Sequence, residues 1–517
     1  MKKLTLAIML ALGMTTGASA QQGTESEPAI QLRGCRVGTP NPQFTPRRAQ
    51  LSQNGESARI GNRHQLVVLA SFQDQDFAED HDATLLKWNN IFNAENYVED
   101  RFVGSVHDYF MAQSYGQFNL TFDLYFVELP DVRYKYRSTS VDDEYSQYMV
   151  NDIVDALETK DIDWSLYDWD GDSFVDQLLI VYAEQGMNAG GGSNTIWPHQ
   201  WWLSQHKNLE TDDPYDYCSY RTVMQGETEY YVDCYCCVQE LEAGNPPTTP
   251  FGTLCHEYSH CFGLPDYYYS GSVKVVGNWD LMDFGNYNGD GYRPCSYSAH
   301  ERMLMGWLTP VELTSGYTVT DMPALVDEPV AYLVRNDGEE NEYYIVENRQ
   351  QRGWDEDLPG NGIIIFHIDY DEDLWVSATT PVNNSHRKRY QIFPANNKSK
   401  VSASSGWAYP YYSTDEEGNE VLVNDCLTNT SEPAATLLNP NIDGERLMSK
   451  PITEMYVDAN GLASFLFMDG ITTPIQDLTS GQALNEAARM YDLQGRRLQL
   501  EPAKGLYIQG NKLKIRK

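Results

Sequence analysis

Positive charge is what this chain most lacks. Across 517 residues, 37 Lys and Arg face 74 Asp and Glu, for a net charge of −37. An acidic surface repels phosphate backbones, which argues against nucleic acid as a partner. It keeps an exported protein in solution and suits bound cations, with a merely solvated surface as the simpler cause. Long apolar runs are missing as well. Beyond residue 20 no stretch is apolar for long enough to cross a bilayer, so no transmembrane segment is expected. Histidine is rare, at ten residues, so two close together carry information. Cysteine comes in odd number, nine, and at least one thiol must stay outside any pairing within the chain.

The first twenty residues have the layout of a secretory signal. Lys2 and Lys3 form a charged start, Leu4 to Leu12 a short apolar core, and Ala18-Ser19-Ala20 a small-residue cleavage site. The mature chain is therefore expected to be secreted or to sit on the extracellular surface, where disulfides are allowed.

The most informative stretch is Cys255-His256-Glu257-Tyr258-Ser259-His260-Cys261-Phe262-Gly263-Leu264-Pro265-Asp266. Two His four apart on a helix share a face and can grip one metal ion. Glu257 follows the first His, so it sits beside the metal and not on it, where a base must be to take a proton from activated water. Gly263 lets the backbone turn, and Asp266 can swing back as a third ligand. Three protein ligands with one open position describe a catalytic zinc site. Thr249 and Pro250 read as the N-cap and first residue of this helix.

The pattern H-E-x-x-H-x-x-G-x-x-D, followed by Gly277-Asn278-Trp279-Asp280-Leu281-Met282-Asp283-Phe284-Gly285, resembles the immune-inhibitor-A-like family of metzincin zinc metallopeptidases. The resemblance implies His256, His260 and Asp266 as zinc ligands, Glu257 as general base and Met282 as the Met-turn residue beneath the metal. It implies an oxyanion-stabilising Tyr as well, for which Tyr287 and Tyr292 are the candidates. Further similar stretches run from Gly104 to Gly116, Ile196 to His199, Glu301 to Trp307, Glu347 to Arg349 and Ile365 to Asp369. The resemblance implies an α+β fold with a metzincin-like catalytic domain, a twisted mixed sheet plus the active-site helix, over 61–310. A β-rich accessory domain over 311–469 and a small β-sandwich tail over 470–517 complete the chain. Residues 1–20 are the signal peptide and 21–60 a propeptide or flexible arm.

Within that frame, 65–72 and 117–128 read as strands, 83–115 as a helical wall and 145–158 as an amphipathic helix. Asp168, Asp170, Asp172 and Asp176 space carboxylates around Gly171 as Ca2+ requires, with an acidic turn as the plainer reading. His199 reads either as a site residue or as a structural His on a backbone carbonyl. Cys218, Cys234, Cys236 and Cys237 read as a staple on the Tyr-rich loop before the catalytic helix, with a Cys-only zinc site as the alternative. Cys255 and Cys261 read as packing or disulfide partners. Cys35 in the arm could fill the open zinc position and impose latency, as the cysteine switch of some metzincins does, or be a disulfide partner or a free thiol. Arg47, Arg48, Arg59 and Arg63 read as exposed points where the arm could be clipped. The tail, through Met490 to Leu498, Gly505 to Ile508 and Lys512 to Lys517, resembles the sorting domains of type IX secretion, which implies secretion machinery as a partner; a plain β module is the alternative.

Together these residues point to a secreted zinc endopeptidase acting on proteins or peptides, with Zn2+ and Ca2+ as cofactors. The rival reading is a surface adhesin or binding protein on an inactive peptidase scaffold.

Overall fold

A computed structural model describes residues 59–470, apart from 139–144, 214, 245–247, 270–272 and 378–379, together with the backbone of four short strands after residue 489. The segments read as signal peptide and arm, up to residue 58 and including Cys35, lie outside the described residues.

Five strands build the central sheet: β1 (Gly61–Ser71), β2 (Phe118–Glu128), β3 (Leu178–Gln185), β4 (His199–Trp202) and β5 (Cys234–Leu241), in the order β2-β1-β3-β5-β4. All neighbours are parallel except the edge strand β4, which runs antiparallel to β5. The sheet is mixed, as expected. Residues 178–183 of β3, Leu-Leu-Ile-Val-Tyr-Ala, are buried without interruption. An unbroken apolar run of this kind is what a parallel strand covered on both faces needs.

The helical wall expected over 83–115 is two helices, α1 (His81–Asn93) and α2 (Val106–Gln113). The break has a local cause. Ser105 Oγ accepts the Asp108 N–H at 3.1 Å while Asp108 Oδ2 accepts the Ser105 N–H at 2.9 Å, a reciprocal cap that starts a new helix. Helix α3 (Ser146–Leu157) falls where its periodicity placed it. Helix α4 (Phe251–Cys261) packs across β5 and β4. Its N-cap is Pro250 and carries no side-chain cap, so the expected Thr249–Pro250 arrangement is shifted by one residue. The Thr249 N–H instead goes to the Tyr292 hydroxyl at 3.1 Å. Helix α5 (Ala299–Met305) is capped by Ser298 with Glu301 and stops at left-handed Gly306.

From residue 311 onward the described chain is β-rich. Strands Tyr390–Ile392, Gly362–Asp369, Glu339–Arg349, Tyr332–Asn336 and Val311–Glu312 form one sheet, and Tyr317–Met322, Ala463–Phe467 and Ile452–Val457 a second. Strand Gly362–Asp369 is buried at every position. Its side chains alternate: Ile364, Phe366 and Ile368 enter the core of the catalytic part, while Ile363 and Ile365 enter a second core with Val319 and Phe465. One apolar core therefore runs from the central sheet into the β-rich region. In the tail, Met490–Tyr491, Arg497–Leu498, Gly505–Gln509 and Lys512–Arg516 form one antiparallel four-stranded sheet. No helix among the described residues is long and apolar enough to cross a membrane.

Candidate metal centre

Every residue of α4 is buried, so the helix is an internal strut. Its second residue has to be Gly252: a Cβ there would lie 1.9 Å from the Asn286 carbonyl oxygen. The loop that follows the metal turn can press directly on the helix for that reason. At the other end Gly263 takes φ +91°, a conformation that costs a side-chain-bearing residue, and the chain doubles back. This turn returns Asp266 to the His256–His260 face.

The three sequence-predicted ligands converge. His256 Nε2 and His260 Nε2 lie 3.1 and 3.3 Å from Asp266 Oδ1, and one ligand atom from each residue falls within 4.8 Å of the other two. The two imidazole planes stand at 85°. Both rings are oriented from behind. His256 Nδ1 is 2.8 Å from the Leu281 carbonyl and His260 Nδ1 is 2.7 Å from the Leu264 carbonyl. A carbonyl only accepts, so each Nδ1 carries the proton and each Nε2 presents a lone pair. Two imidazole nitrogens and a carboxylate then face one another, an arrangement that needs positive charge between them, supplied by a metal ion or by a proton on Nε2. The electrostatics show the same demand. Burial alone would lower the His256 pKa, but Asp266 and Glu257 overcome it and raise it to about 9. Burial pushes Asp266 up, and the two imidazoles outweigh it and hold the carboxyl well below its ordinary value. Two nitrogens, one carboxylate oxygen and near-complete burial fit a zinc ion.

Glu257 is 7% exposed and burial raises its pKa, with the two imidazoles pulling it back. Met282 is fully buried in the turn below. That turn is tightly held: Asp280 Oδ1 accepts the Met282 N–H at 2.8 Å, and Asp283 Oδ2 accepts the N–H groups of Val275, Val276 and Gly277 at 2.7 to 2.8 Å. The turn presents the Leu281 carbonyl to His256. Sequence reading singled out Met282 and passed over Asp280 and Asp283, although Asp flanking a turn is a recognisable backbone-binding signal.

The two Tyr candidates separate. The Tyr292 hydroxyl is engaged by Thr249, and its ring lies under Arg101 and against Phe102, so it shapes the entry to α4. Tyr287 is partly buried, and burial and the charges of Glu242, Glu257 and Asp266 raise its pKa. His199 takes the structural role: Nδ1 is 2.6 Å from the Trp197 carbonyl and Nε2 is 2.9 Å from the Tyr235 hydroxyl. Arg59 is not an exposed clipping point. It is 3% exposed, and its guanidinium donates to the Phe262 carbonyl at 2.6 Å, a cation at the negative end of α4.

The acidic loop is only partly assembled. Asp168, Asp170 and Asp172 bring carboxylate oxygens together, and Asp168 also accepts the N–H groups of Gly171, Asp172 and Ser173 at 2.9 to 3.0 Å. Asp176 does not join them: it accepts the Trp169 N–H at 2.5 Å, and burial raises its pKa to about 8. Among the described residues no disulfide joins Cys218 to the strand cysteines: its Sγ donates to Gln147 Oε1 at 2.7 Å, and Cys234, Cys236 and Cys237 are buried on β5. A Cys-only metal cluster is absent there too, since the converging ligand sets are His256–His260–Asp266 and Asp168–Asp170–Asp172.

A mixed sheet, a buried H-E-x-x-H helix and a Met turn behind it define the catalytic domain of a metallopeptidase. Residues 59–307 match the family described as immune inhibitor A peptidase M6, catalytic domain, and this part of the chain belongs to that family. The pre-pro-metalloprotease PrtV of Vibrio cholerae serotype O1 is 27% identical over 155 residues, 27% of this chain and 15% of that protein. Immune inhibitor A of Bacillus thuringiensis subsp. alesti is 27% identical over 139 residues, 25% of this chain and 18% of that protein. The chain thus spans less than a fifth of the length of the curated relatives it matches.

Proposed function

We propose that this protein is a secreted zinc endopeptidase that hydrolyses internal peptide bonds of proteins. The observation that carries the reading is the convergence of His256, His260 and Asp266 with Glu257 buried beside them. Zinc bound by these three side chains would polarise the scissile carbonyl and make a water acidic enough to lose a proton near neutral pH. Glu257 takes the proton of the attacking water and delivers it to the leaving amine. Its raised pKa suits both halves of that transfer. The Leu264 and Leu281 carbonyls keep both imidazoles in the tautomer that leaves Nε2 free. Tyr287 donates its hydroxyl to the developing oxyanion. Asp168, Asp170 and Asp172 would hold a Ca2+ ion, which would brace the loop into β3. Secretion follows from the signal-like first twenty residues and the sorting-like tail, and latency through Cys35 rests on sequence alone.

The adhesin reading is not favoured, because a binding scaffold has no use for a buried Glu257. Glu257→Gln tests the proposal. The variant should keep its zinc, measured by atomic emission, and lose casein cleavage by about 10^3-fold. Cleavage at the wild-type rate by zinc-loaded Glu257→Gln protein would overturn it.

A further inference from the structure

Three thiols meet where the active-site helix ends. Cys261 is the last residue of α4, directly after His260. Cys234 and Cys236 lie two apart on β5, so they leave the strand on one face, and α4 packs on that strand. Cys237 leaves on the other face, with its Sγ 3.5 Å from His199 Nδ1. Across this helix–strand contact the Cys234 and Cys236 thiols both interact with the Cys261 thiol. All three are at most 7% exposed. Cys261 projects about 100° away from its helical neighbour His260.

We propose that Cys261 is a shared disulfide partner, forming a single bond with either Cys234 or Cys236 that clasps the active-site helix to the central sheet. The two bonds are mutually exclusive because both need the Cys261 sulfur, and either leaves one thiol behind. Formation joins two Sγ atoms with loss of both thiol hydrogens. A low-molecular-weight disulfide such as oxidised glutathione takes up the two electrons and two protons and becomes two thiols. All three thiols are shut off from solvent. Buried thiols react slowly with dissolved oxidants, so the clasp is set as the chain folds and is not a surface sensor. The bond fixes the turn that carries His260 and closes a loop of about 25 residues, which also restricts the unfolded chain.

The test uses the full chain with Glu257→Gln to stop self-cleavage, expressed in an oxidising compartment. The protein is unfolded in the presence of iodoacetamide, digested without reduction and mapped by mass spectrometry. The expected result is a cross-link from Cys261 to the strand peptide. Cys234→Ser should leave only Cys236–Cys261, Cys236→Ser only Cys234–Cys261, and Cys261→Ser neither. Dithiothreitol should lower the melting temperature of the parent protein and leave that of Cys261→Ser unchanged. If Cys261→Ser fails to fold, the map of the parent protein still decides. Recovery of Cys261 fully alkylated from protein with a cooperative melting transition, or joined to a cysteine other than these two, overturns the proposal.

Discussion

Replacing Arg349 by Met should destabilise this protein without removing any candidate zinc ligand. The guanidinium is completely buried. Its Nε and Nη2 donate to Asp355 at 2.8 and 2.9 Å, and its Nη1 donates to Glu347 at 3.0 Å. The remaining donors reach the Ser296 and Trp279 carbonyls at 3.2 and 3.3 Å. Met fills most of the volume but strands two carboxylates that have no access to solvent. Breaking one side of such a network costs about 3–5 kcal/mol, because the surviving charges stay buried without a counter-charge at Arg349, each held by one backbone N–H, of Ala299 and of Ser296. Against a total stability of about 5–15 kcal/mol that is a large share. Thermal unfolding followed by circular dichroism should show a midpoint lowered by roughly 5–10 °C. The cause can be isolated. Adding Asp355→Asn removes one stranded charge and should return part of the loss. A single variant within about 0.5 kcal/mol of the parent would refute the reasoning. So would a double variant less stable than the single one.

Three other expectations follow from the same coordinates. Gly252→Ala should lower both proteolytic activity and zinc content, since its Cβ would drive α4 off the Asn286 carbonyl; wild-type zinc retention would contradict this. Acid should destabilise the fold below neutrality. Burial lowers the pKa of His206, and likewise of His300, to about 3, so the unfolded chain binds protons the folded chain refuses, and stability intact above ~6.5 drains as pH falls. Each should cost roughly 2 kcal/mol at pH 5, while the raised Asp176 carboxyl works in the opposite direction. The cost is therefore read as the difference between parent and His206→Gln or His300→Gln in the change of urea midpoint from pH 7 to pH 5; an identical change in parent and variants would contradict it. Millimolar Ca2+ should raise the melting temperature of the parent protein, and Asp168→Asn should abolish the rise; an equal rise in the variant would exclude the acidic loop as the site.

The ligands were legible because their geometry is local. His256 and His260 are one helical turn apart, and Asp266 follows a single glycine-assisted bend, so short-range spacing carries the whole donor set. Tyr292 and Asp176 have partners that sequence spacing does not announce: their oxygens accept the Thr249 N–H and the Trp169 N–H. Arg59 looked exposed because it sits in a polar stretch, and only the tertiary fold puts the C-terminal end of α4 in front of it. The strand Gly362–Asp369 was readable as β, but its continuous burial shows that both of its faces are covered. That second fact links the β-rich region to the catalytic core.

This linkage gives the β-rich region a role at the metal centre. The Tyr390 hydroxyl donates to Asp280 Oδ2 at 2.7 Å, the Trp279 indole N–H donates to the Ser404 carbonyl at 3.2 Å, and Arg349 reaches the Trp279 carbonyl. All three contacts fall on the two residues that precede Leu281, whose carbonyl orients His256. The turn is thus fixed from one side by the active-site helix and from the other by residues 70 to 125 positions away in the β-rich region. A short turn has few hydrogen bonds of its own with which to hold one backbone carbonyl in place. Buried anchors on both sides remove that freedom, and the orientation of His256 becomes a property of the combined core.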